Sequence, residues 1–562
     1  MTDINNTSAL CDFFRACQKE EIKPAWGIEF RSTEHELLWI GIAKNNAGVL
    51  ELNKFLTHHS MEKKLLPSKA PEFADVFVIY PFCNQVPEGL RPYEYVGIRA
   101  SELNKLYDSD WKNHMLKLVA FHPVTFLNTK GFHTHKLLRA IDQNTLLSKI
   151  DDRSLAHASE VMISEAELAE KFKMYPELIL HAEQLLDQCI IDLDLDKPKN
   201  KKTFTLTRHD DKLLLEKLAW DGFEYRYGKS NKIAFDRVVK ELAIIDAQDF
   251  MAYFLITHDI IQYATSRGFH HVGRGSGANS IVAYCLKLTD VDPIELDLYF
   301  ERFINPYRAS PPDFDIDFSW DERDDITDYV FKRYGKEHVA LLATYATFQG
   351  RAILREIGKV YGLPKADIDM LVDEPKSTHK HHPLAKEIHY YGQRLIDFPN
   401  HLSIHAGGIL ITEESICQYT ALELMPKGFP VSHFDMHVAE DNGFYKYDIL
   451  SQRGLGHIKE SVQHIKKNKQ ISIDVHRVSD FKKDPKINEK LQNAKTIGCF
   501  YIESPAMRGL ISKLKCDNYL TLVQRDPGRT GGRLQLPLQH RVDARLAEAA
   551  PAGGARCARP RI

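Results

Sequence analysis

Acidic and apolar residues alternate with a period of two over residues 313–318, directly after Pro311 and Pro312. Because successive side chains of a β-strand point to opposite faces, this alternation predicts a strand. One face holds three carboxylates, those of Asp313, Asp315 and Asp317. The other face holds three apolar side chains typical of packing on a core, Phe314, Ile316 and Phe318. The clustered carboxylates favour a divalent metal between them, and the alternative is a solvated acidic face.

A second alternating segment, Tyr445 to Leu450, predicts another strand. Its period places Lys446 and Asp448 on one face, opposite Tyr447 and Ile449. A carboxylate beside a lysine is ordinarily a surface ion pair. Next to the acidic strand, the same two residues would instead supply a third metal ligand and a cation for phosphate.

A glycine-rich turn over residues 272–278 precedes an apolar run at 281–286 that is typical of a helix. Such a turn exposes backbone N–H groups at the positive end of the helix dipole, where phosphate binds well. Arg274 adds a guanidinium fork and Ser276 a hydroxyl donor. The segment lacks the Gly-Lys-Ser/Thr ending of a Walker loop, so a simple tight turn is the alternative.

Residues 1 to about 150 alternate predicted strands with helices, which favours a parallel α/β layer or barrel. We expect a helix at 9–19 and strands at 25–30, 37–43, 76–80, 95–99 and 118–121. Residues 2–6 are predicted to be a loop. A helical stretch at 160–190 leads to the charged segment 192–202, which we interpret as a linker between domains.

Helices dominate the predictions for the second half of the chain. We expect them at 240–265, 321–334 and 350–361 and over most of 365–425, with a strand at 339–344. His379, His381 and His382 are predicted to lie in a solvated loop, not a metal site. His401 and His405 adjoin an apolar strand and suit either a core or a substrate-facing position.

Composition limits the class of protein more than its function. A chain of 562 residues with 43% hydrophobic and 27% charged residues predicts several globular domains. The net charge of -3 gives no global electrostatic indication of nucleic-acid binding, although local basic grooves remain compatible with it. The nine cysteines form no CxxC pair, which argues against disulfides and zinc. Neither a membrane span nor a secretory signal is predicted, so we expect a cytoplasmic protein.

The three motifs occur together in an order that resembles the bacterial DNA polymerase III alpha subunit, a C-family replicative DNA polymerase. They are Gly273–Ala278, Pro312–Phe318 and Lys446–Asp448. Further similar segments are Asp292–Phe303, His405–Gly408 and Phe500–Ser504. The resemblance extends over residues 1–523.

The resemblance implies a multidomain α/β fold. An N-terminal PHP-type (β/α) barrel-like domain would precede a palm similar to the polymerase-beta-like nucleotidyltransferases, with a helical thumb and the start of the fingers. The implied limits are 1–195 for the PHP domain, 196–345 for the first part of the palm, 346–425 for the thumb, 426–455 for the palm segment with the third aspartate, and 456–523 for the fingers.

The resemblance also implies the site. Asp313, Asp315 and Asp448 correspond to the catalytic, metal-binding aspartates, and two Mg²⁺ ions would activate the primer 3′-hydroxyl and stabilise the leaving pyrophosphate. The implied nucleotide- and phosphate-binding residues are Arg274, Gly275, Ser276 and Lys446. Asp317 is not counted in the triad, and strand rise places it about 13 Å from Asp313, too far to share a metal pair.

The implied function is DNA-directed DNA synthesis on primer-template DNA with deoxynucleoside triphosphates. Partners in the full-length family are replisome subunits, including the sliding clamp, and the location is the nucleoid. The alternatives are a PHP phosphoesterase or 3′–5′ exonuclease and a non-catalytic DNA-binding fragment.

Several residues depart from the metal-binding pattern of PHP domains. Glu29 matches a family glutamate, but Ile4 stands where the family often has histidine, and Pro123 and Thr125 fill expected aspartate and histidine positions. The strand bearing the family's first His-x-His pair should precede residue 2. We therefore predict a structural PHP domain without phosphoesterase activity.

The composition changes abruptly after residue 523. Residues 524–562 contain no lysine and are rich in arginine, alanine, glycine and proline, unlike the preceding chain. This predicts a frameshifted or foreign segment, and the alternative is a basic disordered tail that binds nucleic acid. Most of the fingers and the clamp-binding region would then be absent, and we expect low activity.

Overall fold

A computed structural model describes residues 1–107, 109–305, 313–373, 383–499 and 502–523. Several sequence predictions lie outside these ranges: those for the prolines at 311 and 312, the histidines at 379, 381 and 382, residues 500 and 501 of the last motif, and the segment 524–562. The chain divides into two compact units. Unit 1 combines Met1–Asn200 with Tyr334–Tyr445, and unit 2 combines Lys201–Arg333 with the chain from Lys446 onward.

The described strands, in chain order, are β1 (Thr2–Ile4), β2 (Gly27–Arg31), β3 (Leu37–Ala43), β4 (Val76–Pro81), β5 (Glu94–Ile98), β6 (Leu118–Ala120), β7 (His271–Arg274), β8 (Asp315–Ser319), β9 (Val339–Thr347), β10 (Pro399–Ile411), β11 (Leu422–Leu424), β12 (Pro430–Asp435) and β13 (Lys446–Gln452).

The described α-helices are α1 (Leu10–Lys19), α2 (Asn46–Glu62), α3 (Thr129–Asp142), α4 (Glu165–Lys171), α5 (Glu177–Asp187), α6 (Arg208–Tyr227), α7 (Lys232–Ala247), α8 (Met251–Ser266), α9 (Ile281–Cys285), α10 (Arg323–Tyr334), α11 (Gly350–Val360), α12 (Lys365–Asp373), α13 (Ala385–Arg394), α14 (Met436–Asp441), α15 (Arg453–Lys469), α16 (Val478–Lys482), α17 (Pro485–Gln492), α18 (Pro505–Leu514) and α19 (Tyr519–Val523).

The N-terminal sheet of unit 1 has the strand order β1-β2-β3-β4-β5-β6. The predicted strands at its centre are confirmed, but the expectation of a parallel layer is wrong for β2, β3 and β4, which pair antiparallel. Only five residues connect β2 to β3, too few for the crossover that a parallel pair needs. The predicted loop at 2–6 is also wrong in part, since Thr2–Ile4 pairs in parallel with β2 as an edge strand.

Unit 1 holds a second group of strands in the order β11-β12-β9-β10. The predicted strand at 339–344 is confirmed within β9, but the helical prediction for 365–425 is wrong over the 13-residue strand β10. A register shift between Ile404 and Ile409 interrupts the pairing of β10 with β9. At this bulge His405 Nδ1 accepts hydrogen bonds from the backbone N–H groups of Gly407 and Gly408, at 3.3 and 2.8 Å. His405 therefore holds the bulge, and His401 is exposed.

Unit 2 contains three strands in the order β13-β8-β7, with β13 parallel and β7 antiparallel to β8. Helices pack around them. The single helix predicted over 240–265 is wrong: α7 ends at Ala247 and α8 begins at Met251. Asp249 between them has a φ of +58°, a left-handed conformation that interrupts the helix. The helices predicted at 321–334 and 350–361 are confirmed.

The fold is thus mixed α/β, with mixed strand direction in both units. Within the described ranges, no helix combines the length and apolar character that crossing a bilayer requires. All eight cysteines in those ranges are free thiols.

Candidate active site

Three neighbouring strands of unit 2 bring the sequence-predicted residues together. Asp315 opens β8 and pairs in register with Asp448 on β13 and with Arg274 on β7. Lys446 begins β13, two residues before Asp448. Asp313 precedes the first residue of β8, so the strand begins two residues later than predicted.

The apolar faces of these strands are buried, as the alternation predicted. The exposed fraction is 3% for Phe314, 1% for Ile316 and 0% for Phe318. Tyr253 of α8 packs behind the strands: its ring stacks on Phe314 at 5.6 Å and contacts Tyr447 at 4.6 Å between centroids. This aromatic layer fixes the depth of the strands, and with it the position of the carboxylates on the opposite face.

Lys446 bridges two of the carboxylates. Its Nζ lies 2.8 Å from Asp313 Oδ1 and 3.1 Å from Asp448 Oδ2. The side chains of Lys446 and Asp448 are 9% and 8% exposed, so their contact is shielded from water, whereas Asp313 is 37% exposed. Tyr253 supports Lys446 from behind, since its hydroxyl donates to the Lys446 carbonyl oxygen at 2.9 Å.

Arg274 bridges the remaining two aspartates of the predicted acidic face. Its Nη1 donates to Asp315 Oδ2 and its Nε to Asp317 Oδ2, both at 3.0 Å. Asp317 is buried, and the Gln452 amide lies at 3.5 Å from its other oxygen. Lys446 therefore joins Asp313 to the more buried Asp448, and Arg274 joins Asp315 to the more buried Asp317.

The glycine-rich turn lies against the same carboxylates. It forms a short 3₁₀ turn, Gly275–Asn279, directly after β7. Gly275 has a φ of +74°, and a Cβ there would lie 2.7 Å from Asp315 Oδ2, so a side chain would be strained and would press on that carboxylate. The Ser276 hydroxyl donates to the Asp313 carbonyl oxygen at 3.3 Å, which ties the turn to the acidic segment.

Burial and mutual repulsion make the carboxylates depend on the cations. Burial raises the pKa of Asp315 and Asp448, and neighbouring carboxylates raise it further, while Arg274 and Lys446 act in the opposite direction. Burial by itself would lower the pKa of Lys446, but Asp313 and Asp448 outweigh it and the net shift is upward. Lys446 is therefore held in its charged form.

Oxygen ligands of the kind that Mg²⁺ prefers are present at this site. Asp313, Asp315 and Asp448 contribute carboxylates, and the raised pKa values of Asp315 and Asp448 indicate a need for positive charge. Their donor set thus fits a divalent cation. As placed, Lys446 and Arg274 bridge these carboxylates, and among the described residues no group of three or more Asp, Glu, His or Cys side chains is arranged to hold a metal ion.

The residues that the sequence resemblance compared with PHP metal positions contact other side chains. Glu29 pairs with Arg31. The Thr125 hydroxyl donates to Glu160 Oε2 at 2.7 Å, and Arg99 lies 3.0 Å from Glu160 Oε1. Guanidinium groups thus balance these buried carboxylates.

Sequence reasoning missed one contact and one residue of the site. The alternation placed Asp317 on the acidic face, but only the structure identifies Arg274 as its partner. Tyr253 carries no signal in the sequence beyond an apolar helix, because its contacts come from distant segments. Contacts between segments that are distant along the chain determine both the Arg274–Asp317 pair and the position of Tyr253.

Comparison with protein families assigns this region of the chain. The family described as "Bacterial DNA polymerase III alpha NTPase domain" matches residues 213–451, which contain Arg274 and all three candidate metal ligands. The family described as "Bacterial DNA polymerase III alpha subunit finger domain" matches residues 454–525. The chain belongs to the bacterial DNA polymerase III alpha subunit family. The resemblance predicted from the sequence motifs is thereby confirmed.

Two names occur among the curated relatives, error-prone DNA polymerase and DNA polymerase III subunit alpha. The error-prone DNA polymerase of Symbiobacterium thermophilum is 33% identical over 433 residues, 73% of this chain and 39% of the relative. The DNA polymerase III subunit alpha of Halalkalibacterium halodurans is 30% identical over 73% of this chain and 38% of the relative. The DNA polymerase III subunit alpha of Ureaplasma parvum is 28% identical over 92% of this chain and 53% of the relative. The chain therefore spans about two fifths to one half of these relatives.

Proposed function

We propose that this protein catalyses template-directed transfer of deoxynucleotides to a primer 3′-hydroxyl, as a DNA-directed DNA polymerase. The observation that carries the proposal is the juxtaposition of Asp315 with Asp448 and Arg274 on three paired strands inside the family match. Carboxylates for metal ions and cations for phosphates within one small site suit phosphoryl transfer, where catalysis is mainly positioning and charge neutralisation.

Each residue has a proposed role that follows from its position. Asp313, Asp315 and Asp448 would hold divalent metal, most suitably two Mg²⁺ ions, which supply Lewis-acid charge at the phosphoryl centre. Arg274 and Lys446 would bind triphosphate oxygens. The turn at Gly275 and Ser276 would let the nucleotide approach the backbone N–H groups closely.

The architecture around the site is part of the proposal. The helical and strand segments flanking β8 and β13 would form the palm, residues 346–425 the thumb, and the chain after residue 456 the start of the fingers. Residues 1–195 would form a PHP-type, barrel-like domain with a structural role, which the ion pairs of Glu29 and Glu160 with arginines support. We place the activity in the cytoplasm, on nucleoid DNA.

Primer extension tests the function directly. Purified protein, a labelled primer on a template, the four dNTPs and Mg²⁺ should give metal-dependent extension. Asp315→Asn should reduce the rate at least about a hundredfold, because it removes charge at the reacting centre. The matched control is Asp321→Asn, since Asp321 pairs with Lys459 away from the carboxylate cluster.

Extension that persists in Asp315→Asn at the rate of Asp321→Asn would refute this site. Salt-dependent binding of duplex DNA without any metal-dependent extension would instead favour a DNA-binding role.

A further inference from the structure

The two candidate phosphate-binding cations contact the same carboxylates that would bind metal. Lys446 Nζ bridges Asp313 and Asp448, and the Arg274 guanidinium bridges Asp315 and Asp317. A carboxylate oxygen at 2.8–3.1 Å from an ammonium or guanidinium is directed at that group and cannot at the same time bind a divalent ion at about 2.0–2.1 Å in the same direction. Metal and cation therefore compete for these oxygens.

The same contacts restrain the cations. Phosphate oxygens that bind Lys446 or Arg274 Nη1 compete with the carboxylates for the charge and the N–H donors of these groups. Lys446 and Asp448 are nearly buried, so leaving either charge without a partner would be costly and a one-sided displacement is unfavourable. When metal takes the carboxylates and phosphate takes the cations together, every charge keeps an opposite partner.

The contacts of Arg274 allow it to exchange one carboxylate partner and keep the other. It contacts Asp317 through Nε and Asp315 through Nη1, which are different atoms of the guanidinium group. Asp317 is buried and lies outside the candidate metal set, so it can retain Nε while the Nη groups turn to another acceptor. Asp317 is thus a positioning residue for Arg274.

We propose that divalent metal and nucleoside triphosphate bind this site cooperatively through an exchange of partners. Lys446 leaves Asp313 and Asp448, Arg274 leaves Asp315 while Asp317 holds its Nε, and both cations then contact the triphosphate. The inference rests on the proposed polymerase site but concerns binding alone. It implies that each ligand binds weakly without the other.

Metal binding without nucleotide gives the first test. Mn²⁺ is titrated into the protein and the free ion is followed by electron paramagnetic resonance. Lys446→Met should tighten Mn²⁺ binding about fivefold or more, since it removes the competitor for Asp313 and Asp448. Lys459→Met is the matched control, because Lys459 pairs with Asp321 and Glu322 instead. Asp315→Asn should weaken binding, which locates the ion.

Nucleotide binding without metal gives the mirror-image test. A fluorescent dNTP is titrated in EDTA and followed by anisotropy. Asp448→Asn should tighten binding about fivefold or more, because it removes the charge of one of the two carboxylates that hold Lys446, whereas Asp321→Asn should leave the affinity unchanged. If a variant does not fold, as judged by circular dichroism, Arg274→Gln replaces Lys446→Met and Asp313→Asn replaces Asp448→Asn.

Unchanged or weaker Mn²⁺ binding in Lys446→Met relative to Lys459→Met overturns the proposal. So does unchanged or weaker nucleotide binding in Asp448→Asn relative to Asp321→Asn, or Mn²⁺ binding that Asp315→Asn does not reduce. Neither assay contains primer or template, so a protein that fails to extend primers but shows both increases contradicts the proposed function and supports the exchange.

Discussion

At the scale of single residues, the alternating acidic segment holds two kinds of aspartate. From the sequence, strand rise predicted about 13 Å between Asp313 and Asp317, which kept Asp317 out of a shared metal pair. The sequence could not assign Asp317 a partner, because Arg274 lies on a strand that is distant along the chain. The structure supplies one through the Nε contact of 3.0 Å.

Replacing Asp317 tests its positioning role. Asp317→Asn keeps the shape of the side chain but weakens its hold on the Arg274 fork. A hydrogen bond between charged groups contributes about 1.5–3 kcal/mol, so we expect the KM for dNTP to rise roughly tenfold or more with a smaller change in kcat. Steady-state primer extension measures both. Equal falls in kcat and unchanged KM would contradict a role in nucleotide binding.

At the scale of elements, the site depends on how α8 supports β8 and β13. The period-two pattern correctly predicted both strands and their buried faces. It could not predict that α7 and α8 are separate helices. The break depends on a left-handed backbone conformation at Asp249, and no glycine marks that position in the sequence. The local pattern also could not identify α8 as the helix that packs behind β8 and β13.

Tyr253→Phe tests this support. The hydroxyl donates to the Lys446 carbonyl and accepts from the Phe314 backbone N–H at 3.3 Å. Removing it leaves buried backbone groups without this partner, so the free energy of unfolding should fall by about 1–3 kcal/mol. Urea denaturation measures the change. Wild-type stability in Tyr253→Phe would show that aromatic packing alone aligns the helix with the strands.

A second contact between elements of unit 2 should respond to pH. His476 Nδ1 lies 2.7 Å from Asp290 Oδ2, and Arg226 pairs with the other oxygen of Asp290. The hydrogen bond to Asp290 raises the pKa of His476 despite its burial. Asp474 raises it further and Arg226 opposes it, while the rings of His270 and His271 lie within 6 Å.

His476→Gln should therefore destabilise the protein more at low pH than at high pH. A pKa raised in the folded state stabilises the fold fully below the unfolded value of about 6.5, and this contribution is lost as pH rises through the folded value. We expect a loss of roughly 1 kcal/mol at pH 6 and a smaller one at pH 9, from urea unfolding. The exposed His464→Gln is the control, and an equal loss at both pH values would contradict the charged pair.

At the scale of the whole molecule, the net charge of -3 gave no sign of a phosphate-handling site. The charges that matter form local pairs, which a total cannot reveal. Motif order was sufficient to predict the family, but it left the division of the chain into units to the structure. Each unit combines two separate stretches of chain, and such long-range pairing has no local signal.

The N-terminal residues give a prediction about the activity of the whole protein. Glu29 and Glu160 are balanced by arginines, so residues 1–195 should lack phosphoesterase activity. Asp313→Ala protein should release no nucleotides from a mismatched primer in the presence of Mg²⁺ or Mn²⁺. Nucleotide release that survives this substitution, detected by chromatography, would establish a second active centre.

The pairing of β8 with β13 also determines when the site can form during synthesis. Asp315 and Asp448 are neighbours across these strands, although more than a hundred residues separate them along the chain. A ribosome must therefore extrude residues 446–452 before the carboxylates can meet. Until then one edge of β8 lacks its partner strand, and such exposed edges favour aggregation and chaperone binding. The site could thus form only after both strands have left the ribosome.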